Sequence, residues 1–558
     1  MDPKIAYISS EFALDDSLPI YAGGLGILAG DILYQAADSN LPIAGITVFY
    51  RDGFFKQIIE PDGTQRNFYE NVTPKSAGLI DTGKFVKVPL TDHELILKIW
   101  ERKVTPPNYP VPQPSSNAAP LYLMDADIEE NRPEDRKITD RLYERVWAPH
   151  IIDDVVLGVG SVRSARALGL PIEVWHINDD HGTMNIFERI REFMAEGTSL
   201  EEARQKVKEE TVFTTHTPVA GAESKFTREE LLPILTVLFA GINVDLDEFW
   251  KLGVREWEGK EFFSLTVFAM RHSREVNAVS KKHFEVSKKL WEFIGEDVPT
   301  TFITNAVYSP RWTPPEFKDA EIREQENLNS VNAKLEAKKR TAQEIREVSL
   351  DNKTFDPNAL VLAWCRRFAK YKQPTLLLSD PDRLIKILTD EKRPVYLLMA
   401  GKAHPDDEEG QGFVKQVVEF SRRPEVKDHL IYVPDYNLSR AHELLAASDV
   451  WLSTPVVGWE ASATSGMKAV YNRSLNAMTP DGWWPEGFNG KNGWVIEPKE
   501  DDYATVIYEL IENKVVPTFY DDHDEWNAMV QEALSSCGEK FDTQRMLGEY
   551  AKMYGVTS

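Results

Sequence analysis

ALVLAWCRRFAKYK, Ala359 to Lys372, joins an apolar segment directly to a cluster of cations. A short apolar run bounded by polar residues reads as a buried strand. Arg366, Arg367 and Lys372 follow it, where an α/β sheet presents side chains at a strand's carboxyl edge. The same grammar extends outward. Strands are expected at VYLLMAG, HLIYVPD and VWLST, with SRAHELLAAS a helix between the last two. Toward the N-terminus the strands are IAYISS, IAGITVFY, LYLMDAD, VWHIND, TVFTTHT and TFITNA. Helices are expected at GILAGDILYQAADS, DVVLGVGSVRSARALG and GTMNIFERIREFMAEG. The fold class is therefore α/β with mostly parallel sheets. Lys318 to Asn352 is charged, poor in aromatics and helical in period, and reads as the join between two halves. The alternative is a solvated helix inside one domain.

EASATSGMK, Glu460 to Lys468, is the second informative run. Small side chains let backbone amides approach a ligand, and the lysine beyond them offers an amine as a phosphate partner or a Schiff-base former. The plainer reading is a surface lysine on a helix. Guanidinium groups grip phosphate in a planar fork and an ammonium adds a point charge, so the two runs together suggest two phosphates. A salt-bridged basic loop is the competing account of Arg366, Arg367 and Lys372. Gly23, Gly24 and Gly26 in AGGLGILAGD precede a helical pattern; such a turn offers unpaired amides to an anion, or is merely a tight strand-to-helix connection.

Composition bounds the function. A chain of 558 residues exceeds one ordinary core, so two domains are expected, 1–317 and 318–558. A formal charge of −25 argues against nucleic acid, whose binding needs basic surfaces, and favours a neutral polymer. Cys365 and Cys537 alone give neither a disulfide framework nor a zinc set, which points to a reducing compartment. With no basic-then-apolar leader and no long apolar span, a soluble cytoplasmic protein without membrane contact is expected.

Taken in chain order, SEFALDDSLPIYAGGLGILAGD (Ser10 to Asp31), RKITDRLY, VWHIND, VFTTHTPV, TNAVYSPRWT, RRFAKYKQPTLL, AGKAHP, DYNLSRA, EASATSGMK and DGWWPEGFNGKNGW resemble the α-glucan phosphorylases, which are pyridoxal-phosphate enzymes. The resemblance implies a GT-B fold, two doubly wound Rossmann-like domains facing across a central cleft, with Thr543 to Tyr554 as a terminal helix crossing back to the first. It implies that Lys468 holds pyridoxal 5′-phosphate as a Schiff base and that the cofactor phosphate relays a proton. By the same resemblance Arg367 meets the substrate phosphate, while Arg366 and Lys372 meet the cofactor phosphate, with Gly24, Thr464 and Trp312 beside it. Gly23 and Gly26 approach the phosphates. Asp179, His181, His216, Asn305, Tyr436, Glu460, Ser462 and Ala463 line the sugar side. Each polar member of that set has the alternative of a satisfied buried group. Trp483, Trp484, Phe488 and Trp494 stack sugars or, more commonly for such clusters, fill core. The implied reaction moves a terminal α-1,4-linked glucose of a glucan or maltooligosaccharide to inorganic phosphate, reversibly and with retention, giving glucose 1-phosphate. Positive charge at the anomeric carbon would be met by the substrate phosphate and a backbone carbonyl near His216. A homo-oligomer is compatible with the resemblance.

Asp179 and Asp180 do not make a hydrolase pair if both lie on a strand, because neighbours there face opposite ways. The nearest rival is a nucleotide-sugar-dependent glucosyltransferase of the glycogen-synthase kind, with an arginine and lysine like Arg367 and Lys372 but no use for a Schiff-base lysine. A catalytically silent glucan-binding protein is the rival from another class. Against the family pattern, Ala463, Ser465 and Ala306 stand where glycine is usual, Gly466 where asparagine is usual, and AGAESKF follows THTPV in place of a glycine and a histidine. The Ala463 methyl is expected to narrow the sugar site, and Ala463→Gly to be less stable yet more active. No counterpart of the family's N-terminal control segment is visible, so an unregulated form is expected.

Overall fold

Every residue of the strand Leu360–Cys365 is buried, because a central parallel strand is covered on both faces. The computed structural model describes residues 2–107, 117–143, 151–219, 221–295, 298–322, 329–500 and 502–556. Among them, this strand is third in a six-stranded, wholly parallel sheet. The order is Leu430–Val433, Val395–Ala400, Leu360–Cys365, Val450–Ser453, Leu475–Met478, Gly493–Val495. Numbered along the chain this is 3-2-1-4-5-6, the doubly wound order, whose direction reverses between its first and fourth strands. Side chains just beyond Cys365 therefore enter the crevice at that switch. Arg366 is the next residue.

The first half builds a nine-stranded sheet in the order Thr301–Phe302, Glu275–Ala278, Thr211–Thr214, Val174–Asn178, Ile5–Ile8, Ile43–Val48, Ala119–Asp125, Glu94–Val104, Ile80–Pro89. Seven strands run parallel, and the last two turn back as an antiparallel ribbon. Its switch lies between Ile5–Ile8 and Val174–Asn178, which sends the segment after Ile8 and the residues after Asn178 toward one crevice. A hairpin, Lys56–Ile59 with Gln65–Phe68, reaches the second sheet's loops. The Gln57 N–H donates to Asp435 at 2.9 Å and the Gln65 amide to the Ala403 carbonyl at 2.9 Å.

The helix Thr543–Tyr554 packs Met546, Leu547, Tyr550 and Tyr554 into the core of the nine-stranded sheet. His176 is its polar anchor, with Nδ1 2.6 Å from the Tyr554 hydroxyl and Nε2 2.7 Å from Thr214 Oγ1. Burial pushes this imidazole down to about 3, so it is neutral in the fold.

The strands expected at IAYISS, IAGITVFY, VWHIND and TVFTTHT end earlier, at Ile8, Val48, Asn178 and Thr214. Their last residues leave the sheet to turn into loops. Strands at Glu275–Ala278, Leu475–Met478 and Gly493–Val495 interrupt apolar runs with buried Asn or Gly and give no clear pattern. The charged join takes in the end of the helix Pro315–Ile322 and the whole of the helix Asn329–Val348; its residues 323–328 fall outside the described set. It is not simply solvated. Lys338 is buried and paired with Asp449 at 2.5 Å, and Lys334 Nζ donates to the carbonyls of Ser448 and Asn472 at 2.5 and 2.9 Å.

Candidate active site

A cleft of about 800 Å³ opens where the two switch regions meet. The first half contributes Glu11, Tyr21, Gly23, Gly24, Tyr143, Asp179, His216 and Asn305 to its wall. The second contributes Arg366, Arg367, Tyr371, Lys372, Tyr436, Glu460, Ser462, Ala463, Thr464, Ser465 and Lys468. Residues 366–372 and 460–468, distant in sequence, are thus brought together.

Lys468 lies on the helix Ser465–Tyr471 with its Nζ 4.1 Å above the Trp312 ring centre. Burial pushes its amine down to about 7 against the pull of Asp31, which leaves a large neutral, nucleophilic fraction at neutral pH. Asp31 fixes the wall behind it, accepting from Trp312 Nε1 and from Arg311 Nη1, both at 2.8 Å. His442 stacks on Trp312 at 4.6 Å. Trp312 supports the lysine from behind rather than lining the cleft. Gly466 has a steric reason: a Cβ there would fall 2.6 Å from Asn476 Oδ1 and 2.9 Å from Met478 Sδ, so the helix closes on its strand only without a side chain.

Arg366 is buried, yet its Nε and Nη1 have no hydrogen-bond partner. Its remaining nitrogen, Nη2, is 3.4 Å from Ser465 Oγ. Burial lowers its pKa. A buried guanidinium with unmet donors is costly, and an anion in the cleft would satisfy it. Gly401 makes room for this turn, because a Cβ there would fall 1.9 Å from the Arg366 carbonyl oxygen. Arg367 is exposed to the cleft, 3.5 Å from the Tyr371 hydroxyl. Lys372 is engaged by Glu460 at 2.6 Å. Burial alone would raise the Glu460 carboxyl, but Lys372 and Arg366 outweigh it and hold it below its ordinary value.

Gly23 caps the helix Gly24–Asp38. A Cβ on Gly23 or Gly24 would meet no atom within 4 Å, so both face open cleft. Gly26 does not; its Cβ would fall 2.7 Å from Tyr21 Cβ and 2.9 Å from Glu11 Cβ, which makes it a packing glycine outside the lining. Glu11 Oε2 accepts from the N–H groups of Ala22 and Gly23 at 2.8 and 3.1 Å, and its Oε1 from the Tyr143 hydroxyl at 2.7 Å.

On the remaining wall, Asp179 Oδ1, Asn305 Oδ1 and Ser462 Oγ are buried without partners. Asp179 sits beyond its strand at φ 67°, so Asp179 and Asp180 are not strand neighbours facing opposite ways. They are separated by use: Asp180 accepts from the Ser224 N–H and from Thr266 Oγ1, at 2.7 and 2.8 Å. Burial and the neighbouring Asp180 raise the Asp179 carboxyl to about 7. His216 Nε2 is 2.8 Å from Asn178 Oδ1, and burial keeps the ring neutral. His181 is turned instead to Asp154 at 3.3 Å and does not line the cleft. Burial opposes its charge, but Asp154 and Asp180 prevail and push it up to about 10. Burial raises the Tyr436 hydroxyl. Trp483 and Trp484 are core, edge to face at 5.1 Å. Ala463 is at φ 60°. Ala220, the first residue of AGAESKF, lies outside the described residues.

Tyr143, Lys402 and His404 line the cleft as well; Tyr143 ends RKITDRLY, and Lys402 and His404 fall in AGKAHP, runs the family resemblance covers without assigning these side chains a role. Lys402 pairs with Asp435 at 2.7 Å.

Parallel α/β sheets opening at their switch points onto a cleft with a buried amine and an unsatisfied guanidinium define the class: an anion-handling α/β protein consistent with a GT-B-like fold. The family model described as carbohydrate phosphorylase matches residues 260–484. The maltodextrin phosphorylase of Thermococcus litoralis is 36% identical over 99% of this chain and 70% of its own. The glycogen phosphorylase of Aquifex aeolicus is 32% identical over 99% of this chain and 86% of its own. An uncharacterized protein of Methanocaldococcus jannaschii is 31% identical over 98% and 99%. The chain belongs to the carbohydrate phosphorylase family.

Proposed function

We propose that this protein is an α-glucan phosphorylase, transferring the terminal α-1,4-linked glucose of a glucan or maltooligosaccharide to inorganic phosphate with retention. The observation that carries this is the pairing, in one cleft, of the buried Lys468 amine, pushed down to about 7, with Arg366, two of whose buried donors lack an acceptor. The residues fit pyridoxal phosphate, the cofactor the family uses: Lys468 takes its carbonyl end, and Arg366, Ser465 and the open amides at Gly24 take its phosphate. When bound, this cofactor supplies a phosphate group that exchanges a proton with the substrate phosphate.

The chain's own residues do the rest. Arg367 grips the substrate phosphate in a planar fork, and Lys372, steered by Glu460, adds positive charge beside both anions. Ser462 and Asn305 hold sugar hydroxyls with buried oxygens that fold-internal bonds leave unpaired, and Glu460, paired with Lys372, accepts from a hydroxyl beside them. Neutral His216 orients a hydroxyl without adding charge next to the developing cation. Walls contributed by both sheets exclude water, which would otherwise divert phosphorolysis to hydrolysis. The two sheets are read as the domains 1–317 and 318–558, with Thr543–Tyr554 bridging back.

Arg367→Ala tests the division of labour. Loss of a charge-assisted bond costs roughly 1.5–3 kcal/mol, so the KM for inorganic phosphate should rise about ten- to a hundredfold while that for glucan stays near wild type. A change confined to glucan would refute the assignment.

A further inference from the structure

Trp459 stands immediately before the cleft residue Glu460 and is 48% exposed, a large apolar side chain left in water just outside the cleft lining. Its backbone is pinned. The buried carboxylate of Asp481 accepts from the N–H groups of Gly458, Trp459 and Glu460 at 2.9, 3.1 and 2.9 Å, and from that of Gly482 at 3.0 Å. The indole lies against Tyr371, centres 6.2 Å apart and planes 29° from parallel. Tyr371 itself lines the cleft beside Arg367 and Lys372. Tyr371 in the cleft wall and Trp459 outside it therefore form an aromatic step.

We infer that Trp459, backed by Tyr371, is a sugar platform at the mouth of the cleft, taking a glucose ring of an α-glucan beyond the ring held by Glu460, Ser462 and Asn305. This rests on the phosphorylase reading. A pyranose has an apolar C–H face and a polar rim, and a fixed indole matches the first while leaving the second in water. A chain of formal charge −25 repels anionic polymers but not a neutral glucan, and continuity with the cleft through Tyr371 places the surface on the path of a chain whose end is inside. Asp481 pins the backbone that carries the indole, which lowers the ordering entropy that binding must overcome.

Maltoheptaose binding to the holoprotein, measured by isothermal titration calorimetry without phosphate, tests this on wild type, Trp459→Ala and Trp459→Phe. Thermal unfolding confirms that each variant is folded. Trp459→Ala should bind maltoheptaose about five- to tenfold more weakly, Trp459→Phe within about twofold of wild type, and the KM for inorganic phosphate should not move. Equal maltoheptaose affinity in all three proteins, with wild type still releasing glucose 1-phosphate, overturns the platform and leaves the phosphorylase reading standing. Adenosine binding that is lost in Trp459→Ala while maltoheptaose is unaffected assigns the step to a purine and also overturns it. No maltoheptaose binding and no glucose 1-phosphate from wild type would remove the reading beneath it.

Discussion

Ala463 occupies the left-handed region at φ 60°, in a turn before the helix of Lys468. A Cβ in that region is unfavourable by roughly 1–2 kcal/mol, a strain glycine does not carry. The loss of stability expected for Ala463→Gly assumed a regular element; the turn reverses the sign. Ala463→Gly should keep or raise the thermal midpoint, by up to about 1 kcal/mol in stability, and should raise kcat/KM on maltooligosaccharides if the methyl crowds the sugar. A lowered midpoint would contradict the strain. Lys468 gives a pH prediction. Its folded pKa of about 7 lies below the ordinary 10.5, so between those values the unfolded chain binds more protons and apoprotein stability from this group rises with pH. Lys468→Met should flatten that rise. Capture of pyridoxal phosphate by apoprotein, read as absorbance fixed by borohydride, should climb through pH 7 and level off near 9; a climb continuing to 10.5 would mean an unshifted amine.

The glycine turn and its helix show how far an element is legible. AGGLGILAGD announces a helix start, and Gly24–Asp38 follows; which glycine meets the ligand depends on what the turn packs against. Gly24→Ala should fold with unchanged stability and bind pyridoxal phosphate more weakly, since its methyl enters open cleft. Gly26→Ala should lose about 1–3 kcal/mol by overpacking, because its methyl meets Tyr21 and Glu11. Unfolding midpoints with the affinity of apoprotein for pyridoxal phosphate separate the two, and equal stability of both variants would refute the distinction. Strands and helices with uninterrupted apolar faces, such as Leu360–Cys365, could be read directly. Leu475–Met478 could not, because Asn476 sits at its centre, buried to donate to the Gly466 carbonyl at 3.0 Å. That polar residue serves the helix of Lys468, a role visible only once strand and helix are packed.

At the scale of the whole molecule, strand order does most to make the site. Residues that leave a doubly wound sheet at its switch enter the crevice, which is why Arg366, Asp179 and the segment through Glu11 meet although long stretches of chain separate them. Runs adjoining strand ends were therefore readable as site. Tyr143, Lys402 and His404 were not, since their places depend on how the halves approach; Lys402, for example, reaches across to the Phe55 carbonyl at 2.7 Å. His181 shows the converse: it sits next to the site in sequence, but three nearby aspartates draw its ring inward. No helix among the described residues is long and apolar enough to cross a membrane, and the acidic surface suits an uncharged polymer. Phosphorolysis in this cleft is read most plainly from the product formed from maltoheptaose and inorganic phosphate by the pyridoxal-phosphate-loaded protein. α-Glucose 1-phosphate with the shortened oligosaccharide, absent in Lys468→Ala, is the predicted result; free glucose, or no product without a nucleotide sugar, would contradict it.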